Sequence, residues 1–279
     1  MYDYDELQRD FARYRRFAKV GTIGVTSEGR RIPYVFVGEM GKKQIIVQGG
    51  IHAREHITGA LVSVLVDYCL SVKRPEGMGV WFLPLVNIDG AELAIHGLSS
   101  ISCPKRQEFL RRVNGGSEDF SLWKANAEGV DLNNNFNARW GRGEGQVVCP
   151  APHGYIGCRP HSAPEARALG RFTSLIKPRA TISYHCKGEV IYWDFHEQGK
   201  ALERDRAIAE NLSACTGYSL ESTGNSTGGY KDWCIEKLGI TAFTIEAGSD
   251  SYRHPLPYAA LDTMYKQNKN VIEVLGECL

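Results

Sequence analysis

Apolar and polar positions fall in blocks along this chain, and the blocks alternate between two periods. Residues 1–17, MYDYDELQRDFARYRRF, are charged and amphipathic at helical spacing. Residues 31–40 (RIPYVFVGEM) and 42–51 (KKQIIVQGGI) are β-branched runs that close on glycines, and each predicts a strand. Residues 54–72 are apolar almost all round, which predicts a long buried helix. Residues 79–87 (GVWFLPLVN) predict another strand. From about 97 to 160 the chain holds Gly, Pro and Asn clusters and few long periodic runs, the pattern of a loop-rich excursion. Alternation then resumes. Residues 162–177 predict a helix, with Ser162 and Glu165 at the spacing of a capping box. Residues 179–185 and 189–194 predict strands, 196–217 an amphipathic helix, and 230–239 a short helix ending at Gly239. Residues 240–248 predict an apolar strand and 257–279 a final helix.

Helices interleaved with strands give an α/β fold. Apolar runs this continuous suggest a sheet covered by helices on both faces, an α/β/α sandwich. No repeat, linker or low-complexity tract breaks the chain, so one domain over residues 1–279 is expected.

Composition narrows the function classes. The net charge of +1 gives no electrostatic reason to expect a nucleic acid or membrane surface as partner. No apolar run approaches membrane-spanning length. The N-terminus lacks the apolar stretch of a secretory signal, so an intracellular, cytoplasmic location is expected unless a leader has been removed. The eight cysteines show neither a C-x-x-C pair nor dense spacing, which favours scattered buried thiols over disulfides. Cys149 and Cys158, in a Gly/Pro-rich loop, are the exception to watch.

The stretch GGIHAREHITGA, residues 49–60, concentrates metal-binding chemistry. It reads in two ways. His52 and Glu55 read as ligands of an H-x-x-E pair, or His52 and His56 as ligands with Glu55 as base, as in inverzincins. The stretch follows a predicted strand directly, and ligands of open α/β sheets gather at the carboxyl ends of strands. Gly49-Gly50 would let the backbone turn there. Other strand ends repeat the pattern. His185 closes one and Glu246 another, while Asp131 opens the polar cluster DLNNN. A carboxylate at the end of an apolar strand needs a partner or an elevated pKa. A His, Glu and His set would leave a zinc position open for water. A separate carboxylate could then move the proton, and Glu246 is the candidate.

HAREH, GVDLNNNF, SYH and FTIE, in this order and spacing, resemble the zinc carboxypeptidase (carboxypeptidase A-like, funnelin) family over about residues 30–275. PLVNIDG is similar to that family's strand-loop segment, with Ile88 where proline is usual. The resemblance implies a zinc carboxypeptidase-like mixed, twisted sheet and one Zn2+ per chain. It makes His52, Glu55 and His185 the zinc ligands and Glu246 the general base and acid. It makes Asp131 the residue that orients the first zinc histidine, and Arg54 and Asn133 substrate-binding residues. His56 becomes a bystander where relatives carry a bulky aromatic. Lys124 stands where the family carries an arginine that polarises the scissile carbonyl; it supplies a compact charge instead of a planar fork. WKAN…GVDLN and GGYKDW are closer to bacterial γ-D-glutamyl-L-diamino acid peptidases than to digestive carboxypeptidases.

Two departures shape the functional expectation. Asn134 stands where typical members carry the arginine that clamps a free C-terminal carboxylate, and an amide cannot replace a bidentate pair. Arg139, Arg142 and Arg253 are possible substitutes. The substrate-capping tyrosine of the family falls near Ile235; Tyr230 is the nearby phenol and a substrate-binding candidate. The expected activity is therefore that of a zinc metallopeptidase acting on murein-derived peptides, between γ-D-glutamate and a diamino acid. Metallocarboxypeptidase action on ordinary peptides is the near alternative, and a zinc amidohydrolase of small N-acyl amino acids a further one. A non-catalytic binding module is disfavoured because the four core residues are intact. The remaining histidines, including His254 in YRHPLP, need no functional role.

Overall fold

A computed structural model describes all residues, 1–279. The chain opens with helix α1 (Tyr4–Tyr14), whose N-cap Asp3 accepts from the Glu6 amide, and then strands β1 (Lys19–Val25), β2 (Arg31–Gly38) and β3 (Lys43–Gln48). Helix α2 (Ile57–Ser71), strand β4 (Met78–Leu83), and helices α3 (Ile88–His96) and α4 (Pro104–Val113) follow. After a long loop come α5 (Pro164–Ile176), β5 (Ala180–His185), β6 (Val190–Tyr192), α6 (Lys200–Thr216) and β7 (Ser219–Glu221). The chain closes with α7 (Tyr230–Leu238), β8 (Thr241–Glu246), α8 (Ala260–Asn268) and α9 (Val271–Cys278).

The strands form one mixed eight-stranded sheet in the order β1-β2-β4-β3-β5-β8-β6-β7. The inner four, β4, β3, β5 and β8, run parallel. Successive side chains on a strand point to opposite faces, and the two cores follow that period. Ile45, Val47, Ile182, Phe243 and Ile245 pack on one face with α1, α2, α6, α8 and α9. Ile46, Trp81, Leu83 and Ala242 face the other way, against α5, α7 and the segment around Phe136. The sheet is thus covered on both faces, as its continuous apolar strands require. A satellite cluster around Trp123 and Leu110 seats α3, α4 and the loop beyond them.

Several local expectations are corrected. The long helix expected at 54–72 begins only at Ile57, and Ala53–Glu55 form a 3-10 turn before it. Residues 97–160 are less irregular than expected, since α4 lies among them. The final helix is two, α8 and α9, separated at Lys269 and Asn270. Ser162 and Glu165 form no capping box. Helix α5 begins after Ala163 with no side-chain cap, and the Ala163 amide donates to Asn135 Oδ1 at 3.0 Å. All eight thiols are free, Cys149 and Cys158 included; Cys69, Cys186 and Cys234 are buried, whereas Cys103, Cys149 and Cys158 are exposed. No helix is long and apolar enough to cross a membrane.

Candidate metal centre

Three parallel strands end side by side, and the chain at their ends delivers four groups to the same region. Beyond β3 the chain turns through Gly49 and Gly50, the latter at φ 59°, a conformation that a side chain rarely adopts. This turn carries His52, and the 3-10 turn that follows carries Glu55. His185 ends β5 and Glu246 ends β8, and the two are paired across the ladder.

The donor atoms converge. His52 Nδ1 lies 3.0 Å from Glu55 Oε1, and His185 Nδ1 lies 3.1 Å from His52 Nδ1 and 3.3 Å from Glu55 Oε2. All three side chains are buried. A proton shared among these atoms or a cation bound by all of them would each suit donors this close, and the set of two imidazoles and a carboxylate is one that zinc takes. Ligands about 2.1 Å from a tetrahedral zinc lie roughly 3.4 Å from each other, so the set has the spacing and donor chemistry of a zinc site with an open position. Burial opposes a charge on Glu55, yet His52 and His185 hold its carboxyl well below the ordinary range. His56 is outside the cluster. It is buried, and burial pushes its pKa down to about 4.

Asp131 backs the first histidine. Its Oδ1 lies 3.3 Å from His52 Nε2, and its Oδ2 accepts from the Gly154 amide at 2.9 Å. Burial opposes ionisation here too, but Lys124 and then His52 hold the carboxyl far down. Glu246 is the contrary case: burial pushes it up to about 7, Glu55 adds to the rise, and His185, Lys124 and Arg54 pull against it. Two carboxylates in one site with pKa values driven apart are what acid–base chemistry needs.

His52, His185, Glu246, Lys124 and Asn133 line a cavity of about 250 Å³. Arg54 is half-buried beside it, its charge acting on Glu246. The other expected substrate residues are elsewhere. Tyr230 is fully buried; its hydroxyl lies 2.8 Å from the Thr173 hydroxyl and its ring packs on Phe136, so it is a core residue. Ile235 is buried in the same core. Asn134 accepts from Gln146 Nε2 at 3.0 Å and is outside the cavity wall. Arg139 pairs with Glu236, and neither it nor Arg142 nor Arg253 lines the cavity.

The cavity's far wall was not anticipated. It consists of Tyr192, Thr223, Ser226, Gly229, Lys231, Asp232 and Thr244. Lys231 is buried, pairs with Asp232 Oδ1 at 2.8 Å, and donates to Asp194 O and Thr223 Oγ1. It follows Tyr230 in GGYKDW, where a lysine on a short helix reads as solvated. Tyr192 could have been found by period: it is two residues from Val190, the partner of Glu246, and so shares its face. His254, set aside from sequence, is half-buried and within reach of the charges on Glu55 and Arg54. A larger cavity, about 550 Å³, opens at the opposite ends of β5 and β8 and holds no metal-ligating group of three.

Comparison with known proteins adds to this geometry. Residues 4–271 match the pattern of the zinc carboxypeptidase family. The γ-D-glutamyl-L-diamino acid endopeptidase 1 of Lysinibacillus sphaericus is 32% identical over 95% of this chain and 70% of its own length. The crystal structure of thrombin activatable fibrinolysis inhibitor superposes with a TM-score of 0.79 at 22% identity, over 98% of this chain and 72% of that one. The murein-tripeptide amidase MpaA from Escherichia coli O157 superposes with a TM-score of 0.59 at 20% identity, over 93% of this chain and 91% of that one. Among curated relatives, this chain spans from about half to about three quarters of their length.

Proposed function

Because this chain belongs to the zinc carboxypeptidase family, we propose that it is the hydrolase of an amide bond between γ-D-glutamate and a diamino acid in murein-derived peptides. In this reading His52, Glu55 and His185 hold one zinc ion. When bound, the metal supplies a Lewis acid that polarises a carbonyl and lowers the pKa of water towards ~7. Glu246 takes the proton of the attacking water and delivers it to the leaving amine, as general base and then general acid. Lys124 stabilises the developing oxyanion. Asp131 fixes the ring of His52, as carboxylates behind metal-bound histidines do. Arg54 and Asn133 bind the substrate backbone.

The observation that carries the substrate assignment is the wall of the cavity. Apart from the two imidazoles its one aromatic or aliphatic side chain is Tyr192, and a buried Lys231–Asp232 pair shares the lining with His52 and His185. Such a wall suits a side chain ending in charged groups of both signs, as an amino-carboxyl terminus does, and leaves an apolar side chain opposite desolvated ions. Asn134 points the same way, since it offers no guanidinium for an ordinary C-terminus. The similarity to a γ-D-glutamyl-L-diamino acid endopeptidase supports the same class.

The test is incubation of the zinc-loaded protein with murein tri- and tetrapeptides, the products read by mass spectrometry. Release of the diamino acid side from γ-D-glutamate is expected. Rapid trimming of ordinary peptide C-termini, with murein peptides left intact, would overturn the substrate assignment and leave the metallopeptidase.

A further inference from the structure

Glu165 is an acid with no task in the hydrolysis as described, and it is fully excluded from solvent at the first turn of α5. Its Oε2 accepts from Asn126 Nδ2 at 3.0 Å, while Oε1 has no side-chain or backbone partner. The charges that act on it, Asp89 of α3 and Glu128 of the neighbouring loop, are both negative. Burial, with these two, pushes the carboxyl up to about 8, so it is neutral at pH 7.

Asn126 is the organising residue of the loop that it enters. Its Oδ1 accepts from the amides of Glu128 and Val130 at 2.9 and 3.0 Å. Its own amide donates to Val130 O, and its carbonyl accepts from the Gly129 amide and from Trp123 Nε1. These contacts close residues 123–130 into a compact turn. Lys124 stands two residues before Asn126, and Asp131 directly follows Val130. The turn also lies against the metal-binding segment: the amides of Ala53 and Arg54 donate to Lys124 O and Trp123 O. Backbone bonds also join the turn to Pro152 and Ala151, and Asn87 Nδ2 donates to Ala125 O, while the side-chain amide of Asn126 leaves the turn to reach Glu165.

We propose that Glu165 is a positioning residue for the hydrolysis: by holding Asn126 it fixes the 123–131 loop, so that Lys124 faces the substrate carbonyl and Asp131 backs His52. The proposal rests on the roles given to Lys124 and Asp131 above. An apolar side chain of the same shape would fill the space and leave the Asn126 amide without its acceptor, a buried orphan that the loop can relieve only by moving. Glutamine keeps an acceptor and stays neutral at every pH. Lys124 acts on charge that develops in the transition state, so its displacement lowers kcat and leaves KM nearly unchanged.

The experiment compares zinc-loaded wild type, Glu165→Met and Glu165→Gln on the murein tripeptide, together with amide hydrogen exchange. Glu165→Met is expected to keep one zinc per chain, to lose at least tenfold in kcat with KM within twofold, and to exchange the Glu128 and Val130 amides at least tenfold faster. Glu165→Gln is expected to match wild type in all three at pH 7. Wild-type kcat or unchanged exchange in Glu165→Met, or failure of glutamine to rescue, overturns the proposal. Should Glu165→Met not fold, Glu165→Ser decides: its side chain is too short to reach Asn126, and the Glu128 and Val130 amides should again exchange at least tenfold faster than in wild type. Wild-type exchange in Glu165→Ser then overturns the proposal. A wild-type protein inactive on every peptide would sink the hydrolase reading, and the exchange comparison still decides the clamp.

Discussion

His56 stands one residue past a metal-facing carboxylate and behaves as a core side chain. It packs at the start of α2 with its Nδ1 unpaired. This separates the two readings of HAREH, since only Glu55 shares a point in space with His52 and His185. Replacing His56 with phenylalanine should leave zinc content at one per chain by atomic absorption, whereas Glu55→Ala should release the ion; the reverse would restore a two-histidine pair. The same residue sets an acid limit. Its folded pKa is about 4, and the unfolded value is near 6.5. The unfolded chain therefore takes up a proton that the folded one refuses, so stability is intact above pH 6.5 and is lost as pH falls towards 4. The full effect is on the order of 3 kcal/mol. Urea midpoints measured from pH 7 to 4 should fall more steeply for wild type than for His56→Phe. Lys231 makes a second prediction at this scale. Lys231→Met should cut kcat/KM for a γ-D-glutamyl-diaminopimelyl bond at least tenfold at unchanged zinc content, with a smaller loss on a bond followed by lysine, which lacks the second carboxylate. Equal losses on both substrates would remove Lys231 from recognition.

At the scale of elements, the start of α5 shows what a local motif leaves out. Ser162 and Glu165 have the spacing of a capping box, but the buried amide of Asn135 takes its place. Asn135 donates to Ile156 O, Arg159 O and Ser162 Oγ and accepts from the Ala163 amide. Asn135→Ala should therefore cost about 3 kcal/mol in urea unfolding, by orphaning several buried groups at once. Ser162→Ala should cost under about 1 kcal/mol, because its hydroxyl only receives one of those bonds; equal costs would mean that the serine caps after all. Asn135 is 27 residues from Ser162, so no local window could have found it. The other missed elements have equally physical reasons. Strand β1 is a half-exposed edge with Gly21 and Gly24 inside it, so it lacks both an apolar run and a clean alternation. Strand β7 is three residues long. Helix α3 hides behind PLVNIDG, where Asn87 caps it by accepting from the Gly90 amide at 3.1 Å. Long elements packed against the sheet, such as α2 and β8, were legible because their burial is written into consecutive residues. The candidate metal ligands were legible because His185 closes such an element and His52 and Glu55 follow the end of another. The far wall of the cavity was not, because Tyr192 and Lys231 become neighbours only when β6 and α7 are placed on either side of β8.

The whole molecule depends on the same crossing of elements. The sheet order places β3 beside β5, so a metal held by His52, Glu55 and His185 ties together two strands at the centre of the parallel ladder. The Nδ1 atoms of these histidines lie 3.1 Å apart in the folded chain, and unfolding separates the strands that bring them together. Zinc should therefore bind the folded state alone and raise its stability by RT ln(1 + [Zn]/Kd), about 4 kcal/mol at a thousandfold excess over Kd. For a chain of this size each kcal/mol moves Tm by roughly 2–4 °C, so removal of the ion with a chelator should lower Tm by about 10 °C, and zinc should restore it. Glu55→Ala and His185→Ala should melt near the chelated wild type and respond little to added zinc. Glu246→Gln, which leaves the three ligands intact, should keep the full zinc response while losing turnover. A chelated wild type that melts within 1 °C of the zinc-loaded protein would mean that the three side chains do not hold the ion, and a Glu246→Gln that loses the zinc response would place that carboxylate among the ligands.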